Sequence, residues 1–538
     1  MFNTLHDWCT RSHLYGLILG RSLHGQLRNI HQDNWPSVAK NTRNLSAGFY
    51  QVCTITLTIA EVLKNLSQPK MDQTTVCVHT FDFLRDLQTL GDNNSRRLAR
   101  QFISHWIENN NQRSKKPWRN PSWNLDILGY RLCNWLGFFE FFGNSADQLF
   151  RKKLISSISH QYNFVKRRYR GLKDPLSKFR ALKGLIYAGC ALPREQNQLG
   201  NWIESLQQCL QEQFDEDFNH QSRHPGTVVL LLRDLIDLRL MLRLFYAGKI
   251  DFLNDYIVSL APIARHFRHG DGLLSSFTGN ATQRLEAFCY PVLGEGLIDM
   301  ALSLADNKAM VPDQIAMGYA KCSTKSGFLL INTQPTTSYT SLCEWYSDST
   351  GVLDFEWMER AQRILTRCDV SIYAHSSKHF LHYGSQSKQP IKNKIIHEKD
   401  YAFLSSGYLI NNSPGKLDPY GVVLQVKRDI YISQQGDIRG EDFFQLSQPG
   451  QGHIRFLASP GLEWRILGDT ESAFLCKKNT EIKTQKHEHV KRFLCQGATK
   501  LYTADVLNQH ALCVPFYLSA NQQISVKWAL SPIDFLQK

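Results

Sequence analysis

A change in hydrophobic spacing near residue 310 constrains the fold more than any other feature of the sequence. From about residue 75 to 306, apolar residues recur three and four positions apart, as in helices that bury two faces. Residues 306–312 form a linker rich in helix-breaking residues. Short apolar or alternating runs then follow, separated by turns that contain proline and glycine, which is the pattern of antiparallel strands. The sequence therefore predicts a helical region followed by an all-β region.

The length of 538 residues exceeds what one hydrophobic core usually supports. We predict an N-terminal extension over residues 1–74 that packs on the next domain. Layered helical hairpins over residues 75–308 suggest an α/α toroid, and residues 312–538 suggest an antiparallel β-sandwich. No stretch approaches the roughly 18 apolar residues that a spanning helix needs, so no membrane span is predicted.

The formal net charge of +14 favours a polyanionic partner. An acidic polysaccharide, a nucleic acid or a membrane surface would fit, but the sequence lacks a recognisable nucleic-acid-binding motif and we do not expect that partner. The 13 cysteines are scattered singly, which favours a reducing compartment. Since no signal peptide is evident, we predict a cytoplasmic protein, with the periplasm as the alternative if the true start differs. The oligomeric state is not predicted.

The segment 265–272 concentrates cations where a helical pattern ends. Arg265, Arg268 and His269 lie three or four positions apart and so share one helical face. Arginine forks bind carboxylates and sulfates bidentately, which predicts an anion-binding cluster together with Asp271. The alternative is a cationic helix end in which Gly270 takes the left-handed conformation. Both interpretations can hold together.

The loop 217–225 offers a second candidate site. His220, Arg223 and His224 supply groups that can hydrogen-bond a carboxylate and transfer a proton. The alternative is the start of a helix whose first turn is set by Pro225.

Two further groups are weaker candidates. Asp369 and His375 could ligate a metal such as zinc, or could belong to an ordinary polar loop. Arg439 stands among acids in residues 437–442, a pattern typical of a salt-bridged turn. The motifs of nucleotide hydrolysis, dinucleotide binding and serine hydrolysis are missing from the sequence.

Several segments, taken in order, resemble the heparinase II/III-like family of bacterial polysaccharide lyases over roughly residues 75–535. They are FDFLRDL at 81–87 with HWI at 105–107, RLCNWL at 131–136, His220 with SRHP at 222–225, Arg268 with GDG at 270–272 and Phe277, MGY at 317–319, and RGEDF at 439–443. The resemblance implies an incomplete α/α toroid, an antiparallel β-sandwich and a substrate cleft between them. It also implies a carbon–oxygen lyase that cleaves an acidic glycan by β-elimination at a uronic acid.

The resemblance also implies roles for individual residues. Proton transfer falls to His220, His375 and Tyr319, substrate binding to Arg223, His224, Arg265, Arg268, His269, Asp271 and Arg439, and zinc, which some members bind, to Asp369 and His375. The family usually carries a histidine-rich turn where this chain has residues 345–350 without a histidine. A catalytically impaired member that only binds acidic glycan or a cell-envelope polymer is therefore the alternative.

Overall fold

The computed structural model describes residues 27–30, 35–37, 44, 47–52, 55–67, 73–110, 120–277, 295–305, 308–311, 315–334, 351, 353–374, 387–398, 400–412, 422–468, 471–478, 491–497, 500–506 and 509–532. The chain forms two compact units. The first comprises Met1–Gln221, Gly226–Ala261 and Gln283–Lys308, and the second comprises Ser222–Pro225, Pro262–Thr282 and Ala309–Lys538. The sequence placed the two short segments of the second unit in the helical domain, whereas their contacts group them with the strands.

Helices follow a small antiparallel pair of strands, β1 (Phe49–Val52) and β2 (Ile55–Thr58). The described helices are α1 (Ile59–Ser67), α2 (Gln73–Thr80), α3 (Leu84–Leu90), α4 (Asn93–Asn110), α5 (Leu125–Gly137), α6 (Phe139–Gly143), α7 (Gln148–Arg168), α8 (Pro175–Ala191), α9 (Leu199–Gln211), α10 (Pro225–Phe245), α11 (Asp251–Phe267) and α12 (Glu295–Leu304). None of these helices is long and apolar enough to cross a membrane.

Helices α5 and α8 pack closely against each other in the first unit. A Cβ at Gly129 would lie 2.2 Å from the carbonyl oxygen of Arg180, so glycine permits the close approach of the two helices. Buried charges in this core neutralise one another. Lys183 Nζ lies 2.7 Å from Asp234 and 3.0 Å from Asp237. Near the N-terminus, the Trp35 indole donates to Asp237 at 2.6 Å.

The second unit contains two antiparallel eight-stranded sheets. Their strands are β3 (Ile315–Ala316), β4 (Tyr319–Ser323), β5 (Gly327–Asn332), β6 (Phe355–Glu359), β7 (Gln362–Ala374), β8 (Ser387–His397), β9 (Tyr401–Asn412), β10 (Val422–Ser433), β11 (Ile438–Leu446), β12 (Gly450–Ala458), β13 (Leu462–Ile466), β14 (Ser472–Lys477), β15 (Lys491–Gln496), β16 (Tyr502–Val506), β17 (Gln509–Leu518) and β18 (Gln523–Pro532). The first sheet has the order β16-β17-β12-β7-β6-β5-β4-β3, and the second has the order β13-β14-β15-β18-β11-β10-β9-β8.

One apolar cluster joins the two sheets. It contains alternate residues of both sheets, such as Ala320, Phe355 and Ile454 of the first sheet and Val426 and Phe444 of the second. The prediction of helices followed by an antiparallel sandwich is confirmed. The interpretation of residues 437–442 as a turn is wrong, because residues 438–442 begin β11, where Ile438, Gly440 and Asp442 face the core and the residues between them face outward. The ion pair expected there does form, between Arg439 and Asp437 at 2.7 Å.

Candidate functional site

The face of the first sheet that points away from the sandwich core carries the candidate site. Ala320, Cys322 and Phe355 belong to the core, so strand alternation turns their neighbours to the opposite side. We call this side the site face and define it by Tyr319, Lys321, Phe328, Glu356, Arg367, Asp369 and Arg455. The segments 222–225 and 262–277 pack on this face, so the predicted cation cluster and part of the predicted loop meet there.

The predicted cation cluster begins where helix α11 ends at Phe267. Residues 268 and 274 form an isolated antiparallel bridge, and the Asp271 side chain accepts from the Leu273 amide at 3.0 Å. The left-handed residue of this turn is Gly272, with φ of 82°, so the expectation that Gly270 takes that conformation is wrong. A Cβ at Gly270 would instead lie 2.6 Å from the carbonyl oxygen of Arg360. Glycine is needed there for close backbone contact with the sheet.

His269 and Glu356 fix this segment to strand β6. His269 Nε2 lies 2.5 Å from Glu356, whose other oxygen accepts from the Ser276 amide at 2.5 Å and from the Ser276 hydroxyl. The imidazole also stacks on Phe328, with 5.1 Å between ring centroids. Burial lowers the pKa of His269, while Glu356 acts in the opposite direction. With Nε2 donating to the carboxylate, Nδ1 is a buried acceptor that has no hydrogen-bond partner within the described part of the chain.

His266 and Lys321 form a second buried contact beside this pair. His266 Nε2 donates to the carbonyl of Tyr319 at 3.1 Å, and Lys321 Nζ donates to the carbonyl of His266 at 3.1 Å. Burial, with a smaller contribution from the Lys321 charge, lowers the pKa of His266 to about 3. Burial also lowers the pKa of Lys321 to about 8, and its amine lies 4.1 Å from the centroid of the Phe328 ring. Lys321 is thus an amine that is less basic than an exposed lysine.

Arg223 binds the backbone of the first sheet. Its Nε donates to Met317 at 2.7 Å, Nη1 to Gln334 at 3.0 Å, and Nη2 to Gly318 at 3.3 Å and to the Asn332 side chain at 2.6 Å. This set of acceptors gives the guanidinium a structural role. Substrate binding by Arg223 stays a prediction.

Tyr319, His224 and Arg265 were also predicted site residues. The Tyr319 ring is fully buried, 4.9 Å from the Phe277 ring and 4.8 Å from the Arg223 guanidinium, which indicates a packing role in this conformation. His224 is buried, and burial lowers its pKa to about 4, so it is neutral at pH 7. Arg265 donates to the carbonyl of Ala309 at 2.5 Å, and Asp271 pairs with Arg363 at 3.2 Å.

Two other predicted residues, His220 and Arg439, are not residues of the site face. His220 belongs to the first unit, where it is buried, packs edge-on against Phe214 and lies 3.3 Å from the Gln213 side chain. Arg439 projects from the second sheet, with 61% of its side chain exposed. Helix α10 begins at Pro225, as the helix-start interpretation of the loop predicts.

Asp369, one of the two residues predicted to hold zinc, is paired with arginines. Both carboxylate oxygens of Asp369 accept from Arg455, at 2.7 and 2.8 Å, and Arg367 lies 3.4 Å away. A carboxylate held by two arginines does not fit a metal ligand set. His375 lies outside the described residues, and within them no three histidine, cysteine or acidic side chains converge as metal ligands.

Solved structures of a heparinase and of a heparan sulfate lyase have a similar arrangement of helices and sheets. A structure of heparinase III matches with a TM-score of 0.64 at 10% identity, covering 97% of this chain and 89% of that chain. A heparan sulfate lyase from Pedobacter heparinus matches with a TM-score of 0.53 at 11% identity, covering 92% and 84%. The chain has the heparinase fold. No family model and no curated protein matches the sequence.

On this heparinase fold, sequence reasoning missed Glu356, Ser276 and Lys321. Glu356 and Lys321 are charged residues inside short apolar strands, Phe355-Glu356-Trp357 and Ala320-Lys321-Cys322. That interruption of a strand pattern was the available indication, because a charge that alternates with core residues must lie on the opposite face of the sheet. Ser276 gave no comparable indication.

Proposed function

We propose that the protein is a polysaccharide lyase that cleaves an acidic, uronate-containing glycan by β-elimination. The heparinase fold over nearly the whole chain carries this proposal, since the two neighbours described above are named heparinase III and heparan sulfate lyase. The net charge of +14 suits a polyanionic substrate. The substrate class and the reaction are thus inferred together.

The reaction needs three groups, and the site face together with the segment 262–277 packed on it offers candidates for each. A cation must hold the uronate carboxylate so that the weakly acidic C5 proton becomes removable; Arg268, half-buried in the segment that follows α11, is the candidate. A base must take that proton, and an acid must protonate the leaving O4 oxygen. Lys321, with its pKa near 8, and His269, with its unshared Nδ1, are the candidates for proton transfer.

The test is turnover of defined polymers. The protein is incubated with heparan sulfate, heparin, chondroitin sulfate, hyaluronan and alginate, and the ultraviolet absorbance of unsaturated uronate is followed. We expect product from at least one polymer and a loss of about a hundredfold in kcat/KM for Arg268→Ala. Arg243→Ala is the matched control, because Arg243 is an exposed arginine of the first unit. Folded protein that yields no product from any polymer, with and without added zinc, would rule out the lyase.

A second candidate is a non-catalytic protein that binds acidic glycan. It is favoured by the burial of His224, His266 and His269 and by the contacts that the last two make inside the protein. Glycan binding without product, retained in the His220→Ala, His375→Ala double variant and weakened in Arg268→Ala, would establish this function instead.

A further inference from the structure

A groove of about 480 Å³ lies on the outward face of the second sheet, on the side of the sandwich opposite to the site face. Strand register places its residues in two parallel rows. In the first row, Tyr431 of β10 is paired with Phe403 of β9 and with Arg439 of β11, and Arg439 is paired with Ala529 of β18, whose neighbour is Leu494 of β15. The small side chain of Ala529 leaves a depression between Arg439 and Leu494.

The second row lies two residues along each strand and is polar. Asp429, Glu441, Lys527 and Gln496 are neighbours on consecutive strands and line the same groove. Asp429 is already neutralised by Lys427, at 2.6 Å, whereas Lys527 and Glu441 lie 3.7 Å apart. The groove thus combines a platform of rings with a row of hydrogen-bonding groups.

Arg439 gives this groove a preference in charge. Its Nε donates to Asp437 at 2.7 Å, but the two terminal nitrogens form no hydrogen bond or ion pair among the described residues. A guanidinium with a free edge binds a carboxylate or sulfate in bidentate fashion. Lys527, with 59% of its side chain exposed, lies in the neighbouring polar row, where Glu441 balances its charge at 3.7 Å.

We propose that this groove is a second saccharide-binding site, which takes a short segment of an acidic glycan. A sugar ring presents an apolar face and an edge of hydroxyl groups, which match the Tyr431 and Phe403 rings and the polar row, and its carboxylate or sulfate binds the free edge of Arg439. The volume lies in the range of small-ligand sites, roughly 300–1,000 Å³. Binding here requires no turnover, so this site does not depend on the lyase activity proposed above.

The experiment measures binding of a uronate-containing hexasaccharide by calorimetry, with cellohexaose as the neutral chain of equal length. All variants carry Arg268→Ala, so that binding at the site face does not contribute. Tyr431, whose ring is half-buried and stacks on Tyr401 at 5.2 Å, is replaced by alanine. Tyr517→Ala is the control outside the groove, because Tyr517 is 64% accessible and lies on a strand of the first sheet. Tyr431→Phe and Arg439→Lys keep the ring and the charge, respectively, and thermal unfolding of each variant confirms that it is folded.

We expect the acidic hexasaccharide to bind and Tyr431→Ala to weaken it about tenfold, while Tyr517→Ala and Tyr431→Phe leave it unchanged. Arg439→Lys should weaken the acidic chain and leave cellohexaose unaffected. Equal binding in Tyr431→Ala and Tyr517→Ala would overturn the proposal. Three other results would also overturn it. They are a preference for cellohexaose, a preference for an acidic peptide over the hexasaccharide, and a wild-type dimer that Tyr431→Ala converts to monomer. Failure of the lyase assay leaves all of these outcomes unchanged.

Discussion

The two outward faces of the sandwich carry similar kinds of residues but differ in how much of them water reaches. On the site face, His269 and Glu356 are each 1% exposed and pair with one another. On the groove face, the Arg439 and Lys527 side chains are 61% and 59% exposed. The difference follows from what covers each sheet: the segment 262–277 lies on the first, whereas the described part of the groove face remains open to solvent.

Buried charges contribute to folding, whereas exposed charges remain available for a ligand. A buried polar group must find a partner inside the protein, since leaving it unpaired costs about 1–3 kcal/mol or more. An exposed ion pair contributes only about 0–1 kcal/mol. We therefore expect substitutions on the site face to change stability strongly and substitutions on the groove face to change binding.

The largest expected effect is at Glu356. Glu356→Ala removes the acceptor for His269 Nε2 and for the amide and hydroxyl of Ser276, all of which remain buried or partly buried. The free energy of unfolding should fall by about 3–5 kcal/mol, measured by urea denaturation. Glu441→Ala on the groove face is the matched control and should lose less than about 1 kcal/mol. Similar losses in the two variants would remove the distinction between the faces.

A smaller loss is expected at Gly270, where the segment touches the sheet. Gly270→Ala places a Cβ 2.6 Å from the Arg360 carbonyl oxygen, and the backbone must shift to accommodate it. We expect a loss of about 1–3 kcal/mol in the free energy of unfolding. Gly171→Ala serves as control, because a Cβ at Gly171 meets nothing within 4 Å. If both substitutions are neutral in thermal and urea denaturation, the segment does not lie this close to strand β7 and its preceding turn.

The division into helices and strands could be predicted from sequence because it depends on short-range periodicity. The helical spacing of Val229 to Leu244 and the alternating runs after residue 315 reflect which side of each element is buried. Residues close together in the sequence are enough to show that pattern. The segment 265–272 was also found from sequence, because several cations at one helix end form a local cluster.

The contacts of that segment could not be predicted, because they depend on strand register. Glu356 lies 87 residues from His269, and a shift of one residue in β6 would turn its carboxylate into the core. Arg439 illustrates the same limit: its acidic neighbours favoured a turn, and only the pairing of β11 with β10 and β18 places it beside Tyr431. The predicted roles of His375 stay predictions.

A pH dependence of stability should distinguish the site face further. Burial holds the pKa of His266 near 3, against 6.5 for the exposed residue, so the unfolded chain binds a proton that the folded protein excludes. The stabilisation is therefore complete above about pH 6.5 and declines by about 1.4 kcal/mol per pH unit as pH falls toward 3. His266→Gln keeps a donor for the Tyr319 carbonyl. Between pH 6 and 4.5 this variant should lose stability with a slope smaller by about 1.4 kcal/mol per pH unit, the contribution of one proton. The free energy of unfolding is measured by urea denaturation at several pH values. If it falls with the same slope in the wild type and in His266→Gln, His266 is protonated in the folded state.

The smallest expected effect is at Lys527 on the groove face. Its side chain is 59% exposed and its amine lies 3.7 Å from Glu441, so solvent screens the pair and the side chain loses rotamer freedom when the pair forms. Lys527→Ala should change the free energy of unfolding by less than about 0.5 kcal/mol, with little dependence on salt between low and physiological ionic strength. A loss of several kcal/mol, as expected for Glu356→Ala, would mean that the groove face is covered in the folded protein. In that case its charges would belong to the structure and would not be available to a glycan.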